Sequence, residues 1–261
     1  MQESLDTTTV AFDEDTGVGR VTLNRPDALN ALSGQLRDDI IESLRLLEDQ
    51  NDEEIALRVV VLEGAEGNFC AGADITEFDD AAAGASSSRD HYRFIRDFPA
   101  PVIAKIEGYC LGGGLETAMA CDFRFADEDA RLGLPEVDLG IIPGAGGVQY
   151  IAKLANPAAA KEIAMTGEHI SASRAKELGI VNRVPDDVEE TTQEFAETIA
   201  SKPPLAIQAI KDSARMATQS TLEEGIEYDN TVFEPLLATE DHEEGARAFA
   251  EDDYEPEFKG R

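Results

Sequence analysis

The chain has 261 residues, of which 42% are hydrophobic, and its formal net charge at pH 7 is -32. This length and apolar content indicate a folded protein with a sizeable core and exclude general disorder. The excess of 54 Asp and Glu over 22 Lys and Arg disfavours nucleic-acid binding, because phosphate would be repelled and no basic stripe is visible. No apolar run reaches membrane-spanning length and no secretory signal is visible, so we expect a cytoplasmic protein without membrane association.

The acidic residues are spread along the whole chain and are not gathered in a tail. A dispersed acidic coat repels itself when the chain is compact, and concentrated salt screens that repulsion. We therefore predict a halophilic, salt-requiring protein, with an acidic mesophilic protein as the alternative. The cysteines, Cys70, Cys110 and Cys121, form no CxxC pattern and have no clustered histidines beside them. The sequence thus predicts buried free thiols and no metal site.

The first part of the chain alternates between strand-like and helix-like segments. Strands at 7–12 and 19–23 are predicted to form a hairpin, and Ser33 is predicted to cap a helix. The apolar residues of that helix recur at helical spacing: Leu36, Ile40, Leu44 and Leu47. Further strands are predicted at 58–62, 101–106 and 123–126, a helix at 88–98 and a mobile surface loop at 81–88.

Beyond about residue 146 the predicted elements are mainly helices. The candidates are 148–154, 157–165, 172–178 and 188–200, with one short strand at 180–184. Lys202-Pro203-Pro204 interrupts the pattern, and helices at 205–216 and 222–237 follow. Strands that alternate with helices indicate an α/β fold with parallel strands. We predict an α/β core over 1–200 and a helical C-terminal region over 201–261.

Two glutamates give the best indication of function. Glu116 follows three glycines, 112–114, and Glu136 follows Pro135 shortly before the glycine-rich segment 142–147. A carboxylate beside backbone that lacks side chains can approach a substrate closely, and two carboxylates can share one water as acid and base. The glycine-bearing segments lie after or close to predicted strands, where helices begin with free N–H groups. None of them matches a P-loop or a dinucleotide fingerprint.

Several segments together resemble the enoyl-CoA hydratase/isomerase (crotonase) superfamily. They span nearly the whole chain in the expected order: 23–26, 29–32, 69–75, 108–122, 135–147 and 258–261. The resemblance implies a crotonase-like α/β core of repeated β-β-α units and a helical C-terminal region that helps to form homo-oligomers, either trimers or dimers of trimers. It implies an acyl-CoA thioester as substrate, with coenzyme A entering as part of that substrate and no separate cofactor.

The resemblance also implies roles for matching positions. Glu116 and Glu136 would be the catalytic pair that holds a water, and the N–H groups of Ala73 and Gly113 would form an oxyanion hole for the thioester carbonyl. Gly144 would lie in the loop against that water. The residues expected to border the substrate or its CoA moiety are Arg25, Ala28, Ala71, Asp74, Ile75, Thr76 and Lys259, the last contributed by a neighbouring subunit.

The chain departs from better-known relatives near the expected path of the CoA phosphates. Asp27 and Thr76 stand where relatives often carry lysine, which leaves Arg25 and Lys259 as candidate phosphate contacts. Because both acids of the pair are present, the sequence favours hydration of trans-2-enoyl-CoA to 3-hydroxyacyl-CoA. The alternatives are Δ3-Δ2-enoyl-CoA isomerisation, another reaction of the superfamily, or a non-catalytic CoA- or RNA-binding protein.

Overall fold

The computed structural model describes residues 1–77, 90–251 and 253–261. The loop predicted at 81–88 lies outside these residues. The strands are β1 Gln2–Ser4, β2 Thr8–Asp13, β3 Val18–Leu23, β4 Val59–Gly64, β5 Val102–Ile106, β6 Tyr109–Leu111, β7 Phe123–Ala126, β8 Arg131–Gly133 and β9 Ile170–Ser171. The helices are α1 Gly34–Glu48, α2 Asp90–Asp97, α3 Gly113–Ala120, α4 Gly147–Leu154, α5 Pro157–Thr166, α6 Ala172–Glu177, α7 Val188–Ala200, α8 Pro204–Ala217, α9 Leu222–Leu236 and α10 Glu240–Ala250.

The strands form two sheets. The larger sheet has the order β1-β2-β3-β4-β5-β7, antiparallel at its first two pairings and parallel from β3 onward. The smaller sheet has the order β6-β8-β9, in which β6 and β8 are parallel. Consecutive strands are shared between the sheets, since β5 and β7 join the larger one while β6 and β8 join the smaller one. This arrangement is the repeated β-β-α pattern of the predicted α/β fold.

The central strands are buried because both of their faces are covered. Every residue of β5 is buried, and so are the first five residues of β4. Helix α1 packs its apolar stripe into the same core, with Leu36, Ile40 and Leu47 fully buried. The Ser33 hydroxyl accepts a hydrogen bond from the Leu36 N–H at 3.1 Å, which confirms the predicted cap. The three cysteines are free and buried, as predicted.

Ion pairs around the buried Lys105 attach helix α7 to the larger sheet. Lys105 on β5 lies 2.8 Å from Glu63 on β4 and also pairs with Glu189 on α7. Arg20 on β3 contacts the same two carboxylates, at 2.7 Å and 2.9 Å. Burial lowers the pKa of Lys105, but hydrogen bonds to Glu189 and Glu63 outweigh it and raise that pKa above its ordinary value. Each buried charge in this group therefore has an opposite partner.

The prediction of a strand at 180–184 is wrong. This segment makes one isolated bridge, between Arg183 and Phe125 of β7, flanked by hydrogen bonds on either side. Pro185 follows two residues later and has no N–H to extend a ladder. The strand that pairs with β8 is the unpredicted β9, at Ile170–Ser171.

The C-terminal helices pack on one another and contact the core through long side chains. Lys211 of α8 lies 2.8 Å from Asp122, and Arg215 lies 2.7 Å from Asp97. Helix α10 was not predicted from the sequence. Within the described residues, Asp241 is the only buried side chain of α10, and none is buried in α9. No helix among the described residues is both long and apolar enough to cross a bilayer. The proposed division at residue 200 stays a prediction.

Candidate active site

Glycines allow two loops to pack together at the carboxyl ends of β4 and β6. The Cys70 N–H donates to the Tyr109 carbonyl at 2.8 Å, and the Leu111 N–H donates to the Cys70 carbonyl at 3.0 Å. A Cβ added to Gly114 would lie 2.2 Å from the Cys70 oxygen, which is too close for any residue other than glycine. The start of α3 can therefore approach the 70–73 loop without a side chain between them.

The close approach brings together the two N–H groups that the sequence predicts to form an oxyanion hole. Gly113 is the first residue of α3, where a helical N–H has no partner within the helix. A Cβ placed on Gly113 would lie 3.6 Å from the Ala73 nitrogen. Within the described parts of the chain, neither of these N–H groups donates a hydrogen bond to a protein acceptor. Two adjacent donors of this kind can bind one carbonyl oxygen.

Glu116 lies in the first turn of α3 and is 3% exposed. Its Oε1 atom accepts hydrogen bonds from the Ala145 N–H at 2.7 Å and the Gly147 N–H at 2.9 Å. Gly147 begins α4, so a second helix N-terminus faces this carboxylate. Two N–H donors and a helix N-terminus stabilise negative charge at Oε1.

Glu136 lies in the 3-10 helix Pro135–Leu139 and faces the glycine turn before α3. Its Oε1 atom would be 3.1 Å from a Cβ on Gly112, whose φ of 49° is itself a conformation that favours glycine. Burial, together with the negative charge of Glu116, raises the pKa of Glu136 to about 7. The Glu136 Oε2 atom is buried and has no hydrogen-bond partner among the described residues. The two carboxylates thus interact but have unlike surroundings.

Tyr92 of α2 is a site residue that the sequence did not reveal. Its hydroxyl donates to the Gly113 carbonyl at 3.4 Å and would lie 3.0 Å from a Cβ on Gly113. Burial, with a further contribution from the charge of Glu116, raises the pKa of Tyr92 above its ordinary value. A tyrosine in an amphipathic helix is ordinary in sequence, and the fold alone places its hydroxyl beside the oxyanion-hole candidates.

The segments predicted to border CoA lie side by side, but their charged groups bind each other. The Ala71 N–H donates to the Leu29 carbonyl at 3.0 Å, next to Ala28 in the 3-10 helix Pro26–Ala28. Arg25 pairs with Asp74 at 3.0 Å and also donates to the Ala31 carbonyl. The Thr76 hydroxyl and the Thr76 N–H both donate to the Asp74 Oδ1 atom. The bond from the hydroxyl is the main reason that the pKa of Asp74 lies below its ordinary value. Ile75 remains 62% exposed.

Two further predicted positions have different locations. Gly144 is exposed in the loop directly before the N–H groups that contact Glu116. Lys259 lies elsewhere: its carbonyl accepts from the Ile55 N–H at 2.9 Å, and its ammonium is 3.5 Å from Glu54. Since Ile55 precedes the start of β4 while the candidate site follows its end, Lys259 does not join the other site residues within one chain. A contribution from a neighbouring subunit stays a prediction.

Comparisons with known proteins identify the family of the chain. Residues 13–261 match the family model described as enoyl-CoA hydratase/isomerase. A mitochondrial enoyl-CoA hydratase of Pongo abelii is 39% identical over 240 residues, which cover 90% of this chain and 81% of that protein. An enoyl-CoA isomerase/hydratase of Mycosarcoma maydis is 36% identical over 264 residues and covers 94% of each chain.

A solved structure shows the same fold. The crystal structure of an enoyl-CoA hydratase from Bacillus anthracis superposes with a TM-score of 0.87 at 38% identity, covering 98% of this chain and all of that one. The family match begins at the end of β2 and extends over the remaining strands of both sheets, the glycine loops and the C-terminal helices. The chain therefore belongs to the enoyl-CoA hydratase/isomerase family.

Proposed function

We propose that this protein is an enoyl-CoA hydratase, which adds water reversibly to trans-2-enoyl-CoA to give 3-hydroxyacyl-CoA. One observation carries the proposal: two interacting carboxylates, Glu116 and Glu136, lie at the glycine turn that also presents the Gly113 N–H. Isomerisation needs one carboxylate to move a proton, whereas hydration uses one group to activate water and another to protonate carbon. The presence of both supports hydration.

The different surroundings of the carboxylates support a division of roles. Glu116 is stabilised as an anion by two N–H donors. It takes a proton from the water while the water oxygen bonds to C3. The C2–C3 π electrons shift toward the thioester, and its oxygen becomes an enolate oxygen held by the N–H groups of Ala73 and Gly113. Glu136, whose pKa is about 7, then donates its proton to C2 as the carbonyl re-forms.

The proton balance of this scheme closes over the pair. One proton enters Glu116 and one leaves Glu136, so the pair carries a single proton both before and after the reaction. The reverse reaction starts with that proton on Glu116 and removes water from the 3-hydroxyacyl-CoA. Each N–H donor of the oxyanion hole is expected to contribute about 10²–10³ in rate.

We also propose how the substrate's CoA part is held and how the chains assemble. Arg25 is engaged by Asp74 within the chain, so binding of a CoA phosphate by Arg25 requires exchange of that ion pair. Lys259 would reach CoA from a neighbouring subunit of a homo-oligomer, either a trimer or a dimer of trimers. The net charge of -32 opposes an RNA-binding role.

The experiment that tests the reaction compares two substrates. Purified protein is given trans-2-enoyl-CoA and, separately, 3-enoyl-CoA, and the products are separated by chromatography and identified by mass. The proposal predicts that the first substrate gains the mass of one water at least about a hundredfold faster than the second is isomerised. Isomerisation of 3-enoyl-CoA without any hydration would assign the isomerase reaction, and absence of both reactions would leave a CoA-binding protein.

A further inference from the structure

The segment that connects Glu136 to the 144–147 loop is exposed and aliphatic. Leu139, Ile141 and Ile142 are 54%, 46% and 78% exposed. Single exposed aliphatic residues are ordinary, but three within four residues form a local apolar patch in a chain that is 29% charged. We refer to these three residues as the aliphatic ridge.

The backbone of the segment fixes the ridge beside Glu136. The Ile141 N–H donates to the Glu136 carbonyl at 3.2 Å, which turns the chain back toward that residue. The one charged residue in the segment, Asp138, is directed elsewhere: its Oδ2 atom and the Val137 Cγ1 atom would each lie 3.1 Å from a Cβ on Gly167, at the end of α5. The ridge is therefore apolar and held in place.

Its position suits the part of the substrate that lies beyond the reacting carbons. The ridge starts three residues after Glu136 and ends three residues before Ala145, whose N–H holds Glu116. In the proposed reaction C2 and C3 lie between these two carboxylates, and the acyl chain continues from C3. The aliphatic ridge therefore offers the acyl chain an exposed apolar surface on the segment that joins the two carboxylate-bearing parts of the chain.

We infer that the aliphatic ridge is the contact surface for the acyl chain and that it makes the site prefer medium or long apolar chains to the crotonyl group. This inference rests on the proposed function and specifies its substrate class. Each fully buried methylene is expected to raise kcat/KM roughly fourfold, and a one-sided contact roughly twofold. Lengthening the substrate from crotonyl-CoA to trans-2-decenoyl-CoA is therefore expected to raise kcat/KM by roughly tenfold to a hundredfold.

The test measures kcat/KM for hydration of both substrates by the full chain and by two variants, Ile142→Ser and Leu139→Ser. Because both side chains are largely exposed, the variants are expected to fold, and circular dichroism checks this. Each variant should lose most of the increase in kcat/KM that decenoyl-CoA shows over crotonyl-CoA. Its kcat/KM for crotonyl-CoA should change less than about twofold. Met165→Ser is the matched control, since Met165 on α5 is 69% exposed and lies outside both the candidate site and the C-terminal region expected to form homo-oligomers.

Three outcomes would overturn the inference. The first is a wild-type kcat/KM that does not rise with the length of the acyl chain. The second is a variant that keeps the whole gain with decenoyl-CoA. The third is an equal loss for both substrates with a changed oligomeric mass, which would identify the ridge as a contact between subunits. Failure of the proposed function looks different, because the wild-type protein would then hydrate neither substrate.

Discussion

Glu116 and Glu136 have the same side chain but unlike surroundings, and this difference is central to the proposed chemistry. Glu116 is held by two N–H groups from a loop about thirty residues later in the chain, whereas Glu136 has one buried oxygen without a partner among the described residues. An N–H pair favours a carboxylate, and burial beside another negative charge favours a carboxylic acid. The pair is therefore prepared to hold one proton.

The pH dependence of hydration follows from that single proton. Since the pKa of Glu136 is raised to about 7, the singly protonated pair is populated below that pH and lost above it. We expect kcat/KM to fall about tenfold per pH unit above about pH 7, both for hydration of crotonyl-CoA and for dehydration of the corresponding 3-hydroxyacyl-CoA. Measurement from about pH 6 to about pH 9 checks this. A profile that rises through this range would contradict the assignment of the proton.

Part of this site could be predicted at the level of residues, and part could not. The glycines 112–114 before Glu116 pointed to a site on this loop, and the structure brings them next to the Cys70 backbone and the Glu136 carboxylate. The hydroxyl of Tyr92 and the N–H donors of Ala145 and Gly147 reach the site through tertiary packing, for which no local pattern exists. The pairing of Arg25 with Asp74 was likewise invisible, because the two residues are 49 positions apart.

At the scale of elements, helix α3 positions the site through its N-terminus. Gly113 and Gly114 remove two side chains from its first turn, so that the helix can begin against the Cys70 backbone and next to the Ala73 nitrogen. The same turn orients Glu116, whose N–H donates to the Gly112 carbonyl at 3.0 Å. One short helix therefore supplies a candidate carboxylate and a candidate oxyanion-hole donor.

Substitution of Gly114 tests this packing. In Gly114→Ala the new Cβ would lie 2.2 Å from the Cys70 oxygen, so the 70–73 loop must move. We expect a loss of about 1–3 kcal/mol in the free energy of unfolding and a fall of about tenfold or more in kcat/KM. Urea denaturation and hydration assays measure the two effects.

Gly225→Ala provides the matched control for that substitution. Gly225 is also helical, and its nearest neighbouring atom would be 3.7 Å from the new Cβ. Alanine is the better helix former by about 1 kcal/mol, so this variant should be as stable as the wild type or more so. If Gly114→Ala behaved like the control in both measurements, the close approach at α3 would not matter for the site.

Long elements with strong periodicity were predictable, whereas short ones were not. The apolar stripe of α1 and the apolar runs of β4 and β5 follow from helical spacing and from burial on both faces. Strand β9 has two residues, too few for any pattern, and it exists because it can pair with β8. The incorrect strand at 180–184 has the composition of a buried strand, but it lacks a partner beyond the single bridge at Arg183.

At the scale of the whole molecule, the negative charge lies on the surface. Four acidic side chains are buried among the described residues, Asp39, Glu63, Glu116 and Asp241, whereas the chain contains 54. The other acidic side chains of the described residues are at least partly exposed, and like charges on a surface repel one another more strongly in the folded state than in an expanded chain. The salt requirement remains a prediction from this charge distribution.

Salt is expected to stabilise the folded protein by screening. The free energy of urea unfolding should rise as KCl increases from about 0.05 M to about 1 M, because the Debye length falls to about 3 Å over this range. Most of the increase should occur at the lower concentrations, and it should shrink near pH 4.2, the sequence pI, provided that the protein remains folded there. A protein that is equally stable and active in dilute buffer would contradict the prediction.

The most direct test of the account is the hydration of crotonyl-CoA by Glu116→Gln, Glu136→Gln and the double variant. Glutamine keeps the size of each side chain but removes its ability to exchange a proton. If the two carboxylates act as a unit, each single variant should lose at least about 10³-fold in kcat/KM, and the double variant should lose little more. A Glu116→Gln enzyme that hydrates crotonyl-CoA at the wild-type rate would contradict the two-carboxylate mechanism.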